Sequence, residues 1–136
     1  MKKLLLTSTM TAFLLLFNAC SKKSCPKPEV WGTGTWKLTE TYDYDGTLLD
    51  PSDPLVDCTL NETIVLNNDG TGTRTLYHYS SGNCVPETQA LEWVENTEKR
   101  ILIIEANGIA RKMTYENKDK FYYEFDPDYK WVYERE

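Results

Sequence analysis

Charged side chains stand in apolar register at four places along this chain. Glu40 shares parity with Trp36, Leu38 and Tyr42, and Glu62 shares it with Leu60, Ile64 and Leu66. Arg111 lies between Ile109 and Met113, and Arg74 matches the face of Leu76. Carried on strands, where alternate residues share a face, these positions point two carboxylates and two guanidiniums into one interior among aromatic rings. Such charges must pair, because desolvating one alone costs several kcal/mol. The chemistry they offer is recognition: a few placed polar groups orient the head of a small, mostly apolar ligand. Trp36, Glu40, Glu62, Trp93, Arg111 and Tyr123 are the candidate lining. The competing reading makes the same charges a structural ion network, or places them at the ends of the fold where they reach water.

Bond-making chemistry finds less support. His78 is the single histidine; it falls in a predicted strand without a Ser or Cys motif, which suits a rim or surface residue better than a general base. The carboxylates form no recognisable catalytic pair. Asn67-Asn68-Asp69-Gly70 carries oxygen ligands, but a hairpin turn requires the same residue types, and the spaced oxygens and closing Glu of a calcium loop are missing. The cysteines lack CxxC spacing or a histidine partner for zinc. The expectation is therefore no catalytic residue, no metal and no cofactor.

The amino terminus has a different character. Met1-Lys2-Lys3 is basic, and Leu4 to Phe17 is an apolar run short of the roughly 20 residues a membrane span needs. Leu16-Phe17-Asn18-Ala19-Cys20 resembles the lipobox cut by lipoprotein signal peptidase, with Phe17 where an aliphatic residue is usual. This predicts a signal peptide over 1–19, lipid attachment at Cys20 and a flexible, Pro-containing tether over 20–30. Several acyl chains anchor stably where one does not, at about 0.8 kcal/mol per buried methylene. Ser21-Lys22-Lys23-Ser24 lacks the acidic cluster that directs some lipoproteins to the cell surface, so the expected location is the outer membrane, facing the periplasm. The whole sequence has a formal charge of −6, and losing Lys2 and Lys3 makes the mature chain more acidic still. That charge argues against nucleic acid and against electrostatic docking on anionic lipid.

From Trp31 onward, turn chemistry recurs about every 8–12 residues, as in a sandwich or barrel. Asp45-Gly46, Asn68-Asp69-Gly70, Ser81-Gly82-Asn83, Asn96-Thr97, Asn107-Gly108, Asn117-Lys118-Asp119 and Asp126-Pro127-Asp128 separate eight β-prone segments. These are 34–42, 58–66, 71–80, 86–94, 100–105, 109–116, 121–125 and 129–135. Residues 91–105 are rich in Glu, Lys and Leu, but the β-branched run at 101–104 and the Asn96-Thr97 turn favour a hairpin over a helix. Short connections predict an all-β fold: an eight-stranded antiparallel up-and-down (meander) barrel over 31–136, expected to be monomeric. The one long connection, 43–57, can form a flap over one end. With Cys20 lipidated, three cysteines remain in an oxidising compartment. A hairpin about Asn68–Gly70 sets position 58 roughly opposite 79, close enough to Cys84 for a Cys58–Cys84 bridge, leaving Cys25 spare.

Gly34-Thr35-Trp36 on the first strand resembles the Gly-x-Trp motif of lipocalins, and Gly34-Thr35-Trp36-Lys37-Leu38 is similar to the opening of bacterial lipocalin-like lipoproteins. Asn68-Asp69-Gly70-Thr71-Gly72-Thr73 resembles the turn into the third strand of that family, and the pair Cys58 and Cys84 resembles it too. The resemblance implies that Trp36 closes the barrel floor beneath Arg135. It also implies a membrane-anchored, non-enzymatic protein of the cell envelope that binds a small hydrophobic or amphipathic ligand. The alternative is a filled barrel serving as a structural or protein-interaction module. The chain departs from the classical pattern in its short strands and in ending at Glu136 with no helix after the barrel.

Overall fold

The computed structural model describes residues 29–136, apart from 97, 99, 127, 128 and the side chains of 125 and 126. The expected signal peptide, the lipid site Cys20, the spare Cys25, the Phe125 ring and most of the Asp126-Pro127-Asp128 turn lie outside the described residues. The strands are β1 (Gly34–Tyr42), β2 (Thr63–Leu66), β3 (Thr71–Ser80), β4 (Asn83–Glu95), β5 (Arg100–Glu105), β6 (Ala110–Asn117), β7 (Lys120–Asp126) and β8 (Tyr129–Arg135). Each pairs antiparallel with the next, and β1 closes on β8, with Trp36 opposite Arg135 and Leu38 opposite Tyr133. This is the expected eight-stranded meander barrel.

The turns explain why the strands stop where they do. Gly70, Gly82 and Gly108 take positive φ at hairpin corners. Asp69 Oδ1 accepts from the Thr71 amide at 2.9 Å and from its hydroxyl at 2.6 Å, so this carboxylate serves the turn. Gly72 has another role. A Cβ there would run into the carbonyl oxygen of Val65 on β2, so only glycine lets the two strands approach this closely.

One expected strand is corrected. Residues 58–62 do not continue β2 toward the amino terminus; Cys58 and Thr59 end α1 (Pro54–Thr59), and 60–62 turn from it into β2. Asp53 caps it by accepting from the Leu55 amide at 2.8 Å, and Pro54 opens its first turn with φ already suited to a helix. The segment before it folds back on β1, with Leu49 N–H donating to the Thr41 carbonyl. The long connection therefore does cover one end of the barrel, ending in a single short helix.

The β3–β4 hairpin is longer than its neighbours. β2 pairs with β3 only as far as Thr75, and β5 pairs with β4 only from Leu91 onward. Residues 76–89 thus pair mainly with each other and project beyond the barrel, beside α1. The Cys58–Cys84 disulfide joins α1 to this projection.

Candidate functional site

The interior divides into a packed floor, a charged layer above it and an open mouth. Trp36, Leu38, Ile64, Leu66, Leu91, Trp93, Ile101, Ile103, Met113, Phe121 and Tyr133 form one buried cluster. At the floor, Trp36 Nε1 donates to the Gly32 carbonyl at 2.7 Å, and Phe121 lies 4.4 Å from its ring. The Arg135 guanidinium sits 4.3 Å over the Trp36 ring and donates to the carbonyls of Trp31, Thr33 and Lys118. Gly34, at φ +136°, leaves room for that guanidinium. Trp93 belongs to the floor as well, its Nε1 donating to the carbonyls of Asn67 and Thr71. Neither tryptophan of the candidate lining faces the open mouth.

Above the floor, Arg74 bridges two carboxylates. Its Nε donates to Glu62 at 2.7 Å and its Nη1 to Glu105 at 2.5 Å, with the side chain only 3% exposed. Arg111 donates to the same Glu105 at 2.5 Å and to the Tyr123 hydroxyl at 3.2 Å. The Tyr133 hydroxyl donates to Glu62 at 2.6 Å. Arg74 also lies 5.5 Å from the Trp131 ring and Arg111 5.2 Å from that of Tyr123. Burial opposes the charged form of Glu105, but Arg111 and Arg74 outweigh it and hold its pKa below the usual value. Burial and the charge of Glu62 push the Tyr133 hydroxyl well above its ordinary range. With two carboxylates set against two guanidiniums, the layer is neutral as a whole.

The sequence brought three of these charges into one interior correctly and misplaced the fourth. A register shift in β1 between Leu38 and Glu40 reverses the alternation. Past it, the buried Thr41 pairs with Trp131, whereas Glu40 accepts from the Tyr42 hydroxyl at 2.6 Å and pairs with Lys120, which also holds Glu134. Glu40 therefore belongs to a partly exposed ion cluster on the barrel wall. The second interior carboxylate is Glu105, which shares parity with Ile101 and Ile103 and was legible from that alternation. His78 is an exposed residue of the projecting hairpin, 3.2 Å from Glu87.

The mouth holds a cavity of about 500 Å³. Leu49 from the flap and Leu55 and Val56 from α1 face Tyr42, Tyr129 and Trp131 across it, and Thr41 and Thr59 add hydroxyls. Trp131 is shared: it lines the cavity and carries Arg74 against its ring. Except for Thr41, Tyr42, Tyr129 and Trp131, which come from regular strands, this lining depends on how the flap and α1 fold back.

The family model for the lipocalin-like domain matches residues 33–119, more than half of the chain. No curated protein matches. Among solved structures, a de novo designed fluorescence-activating β-barrel is similar, at 16% identity and a TM-score of 0.41, covering 78% of this chain and 94% of the designed one.

Proposed function

Because this chain belongs to the lipocalin-like domain family, we propose that it binds a small hydrophobic molecule at the barrel mouth while lipid on Cys20 holds it to a membrane. The mouth cavity carries this reading. Its volume falls in the range of small-molecule sites, and its walls are aliphatic and aromatic with threonine and tyrosine hydroxyls to orient a polar group. The charged layer sharpens the kind of ligand. Its carboxylates and guanidiniums already satisfy one another, so a charged head would have to break a buried pair to reach them. An uncharged apolar or weakly polar molecule meets no such cost. The protein acts as a binder rather than a catalyst, since the interior titratable groups are held in ion pairs and His78 lies outside the cavity.

An environment-sensitive naphthylamine dye tests this directly. It is expected to saturate at one dye per chain. Leu55→Asp should weaken it at least tenfold, because a carboxylate on the cavity wall would lose water when the dye enters. Leu55 is 58% exposed, so the fold should tolerate the change. A Leu55→Asp protein that binds dye as tightly as the parent rules out the mouth as the site.

The anchoring half of the proposal rests on the lipobox-like sequence around Cys20 and on the oxidising environment that a Cys58–Cys84 bridge suits. The lack of acidic residues just after Cys20 supports the periplasmic face of the outer membrane. Cys20→Ala should move the protein from the membrane fraction to the soluble fraction and abolish metabolic labelling with palmitate; retention in the membrane would refute lipid anchoring there.

A second reading draws on a separate observation. The floor is filled, and Val94, Leu102 and Ile104 are exposed on the outer face of β4 and β5. A barrel serving as an interaction module would present such a face, and it would bind no dye.

A further inference from the structure

We propose that the Cys58–Cys84 bridge is a thiol-sensitive latch on the wall of the mouth cavity, so that ligand affinity follows the redox state of this pair. The inference rests on the cavity being the ligand site. Leu55, Val56 and Thr59 of α1 form one side of that cavity. This helix has six residues, too few to be stable by itself, so its place depends on what ties it down. Of its side chains only Cys58 is buried. Asp53 caps the helix, but that bond is local and does not hold it to the barrel. The covalent tie runs from Cys58 to Cys84 on the projecting hairpin.

The two ends of the bridge differ in a way that suits exchange. Cys58 is 0% exposed, whereas Cys84 is an exposed residue, second in β4 and opposite Tyr79. A thiolate of an external dithiol attacks Sγ of Cys84, and Cys58 departs as a thiolate that takes up a proton. The second thiol of the reagent then attacks its own sulfur in the mixed disulfide and releases Cys84. Two electrons pass from dithiol to bridge, leaving two protein thiols and one oxidised reagent. The strands keep their ladder bonds throughout, while α1 loses its covalent link to the hairpin and is left with its packing against β3. The aliphatic side of the cavity then opens to water.

Hydrogen exchange and dye binding on the purified chain, oxidised or treated with dithiol, test this together. Reduction should speed exchange at residues 55–61 at least tenfold, leave β5 to β8 unchanged and weaken the dye at least tenfold. Cys84→Ser should show the same opened state without reductant and ignore its addition. Unchanged exchange in α1 would overturn the latch, and so would a reduced protein whose strands all exchange together, since the effect would then be global unfolding. Faster exchange in α1 with undiminished dye affinity would overturn control of the cavity. An oxidised protein that binds no dye defeats the ligand-site reading itself, and the claim about affinity with it. Exchange in α1 would still decide whether the bridge holds the helix.

Discussion

Arg74→Met is expected to lower the stability of the barrel by about 3–5 kcal/mol, the range found when one member of a buried charge pair is removed. The residue is 3% exposed and joins Glu62 to Glu105, so its loss strands carboxylates that are themselves 1% and 4% exposed. Glu105 keeps Arg111, whereas Glu62 keeps the Tyr133 hydroxyl and no longer bonds a cation. Denaturation by urea, which does not screen charge, gives the comparison at pH 7. Acid should then separate the two proteins by sign. In the parent, Glu105 titrates below its unfolded value of about 4.3, so its contribution is present above that pH and fades as pH falls through the folded pKa. In Arg74→Met, acid neutralises a stranded carboxylate and should restore part of the loss. A variant that loses less than 1 kcal/mol, or that weakens with acid just as the parent does, would show the pairs to be dispensable.

The strand pattern was legible because local chemistry and tertiary fold agree. Asn-Asp-Gly and Ser-Gly-Asn corners force hairpins, and alternation along Trp36–Leu38, Ile101–Ile103 and Phe121–Tyr123 names one face. Three features escaped for separate physical reasons. The register shift in β1 carries no glycine to announce it, yet it sends Glu40 outward and brings Thr41 inward. Val56, Cys58 and Leu60 alternate as a strand would, but the Asp53-Pro54 start decides for a helix over 54–59. The mouth cavity owes its far wall to where the flap and α1 come to rest, a tertiary fact that no local pattern encodes. So most of the interior charges could be read from parity, and the cavity residues Leu49, Leu55, Val56 and Thr59 could not.

The floor and the mouth should also separate by mutation, and Trp36→Ala is the clearest case. It is expected to cost about 3–5 kcal/mol, the range for truncating a fully buried aromatic residue and leaving a cavity. Trp36 is 0% exposed, touches Phe121 and bonds the Gly32 carbonyl. It also supports the Arg135 guanidinium, which gathers the carbonyls of Trp31, Thr33 and Lys118 and pairs with Asp119 at 3.3 Å. Removing the ring therefore loosens the chain entering β1 and the turn between β6 and β7 together. Trp36→Phe keeps most of the packing and abandons the Gly32 carbonyl, so a smaller loss of about 1–3 kcal/mol follows. Thermal melting ranks the two. Dye binding at a temperature where Trp36→Ala is still folded should match the parent, because the charged layer stands between the floor and the cavity. A folded Trp36→Ala protein with tenfold weaker dye binding would mean that the ligand reaches past Arg74 into the floor, and that the layer is a gate rather than a partition.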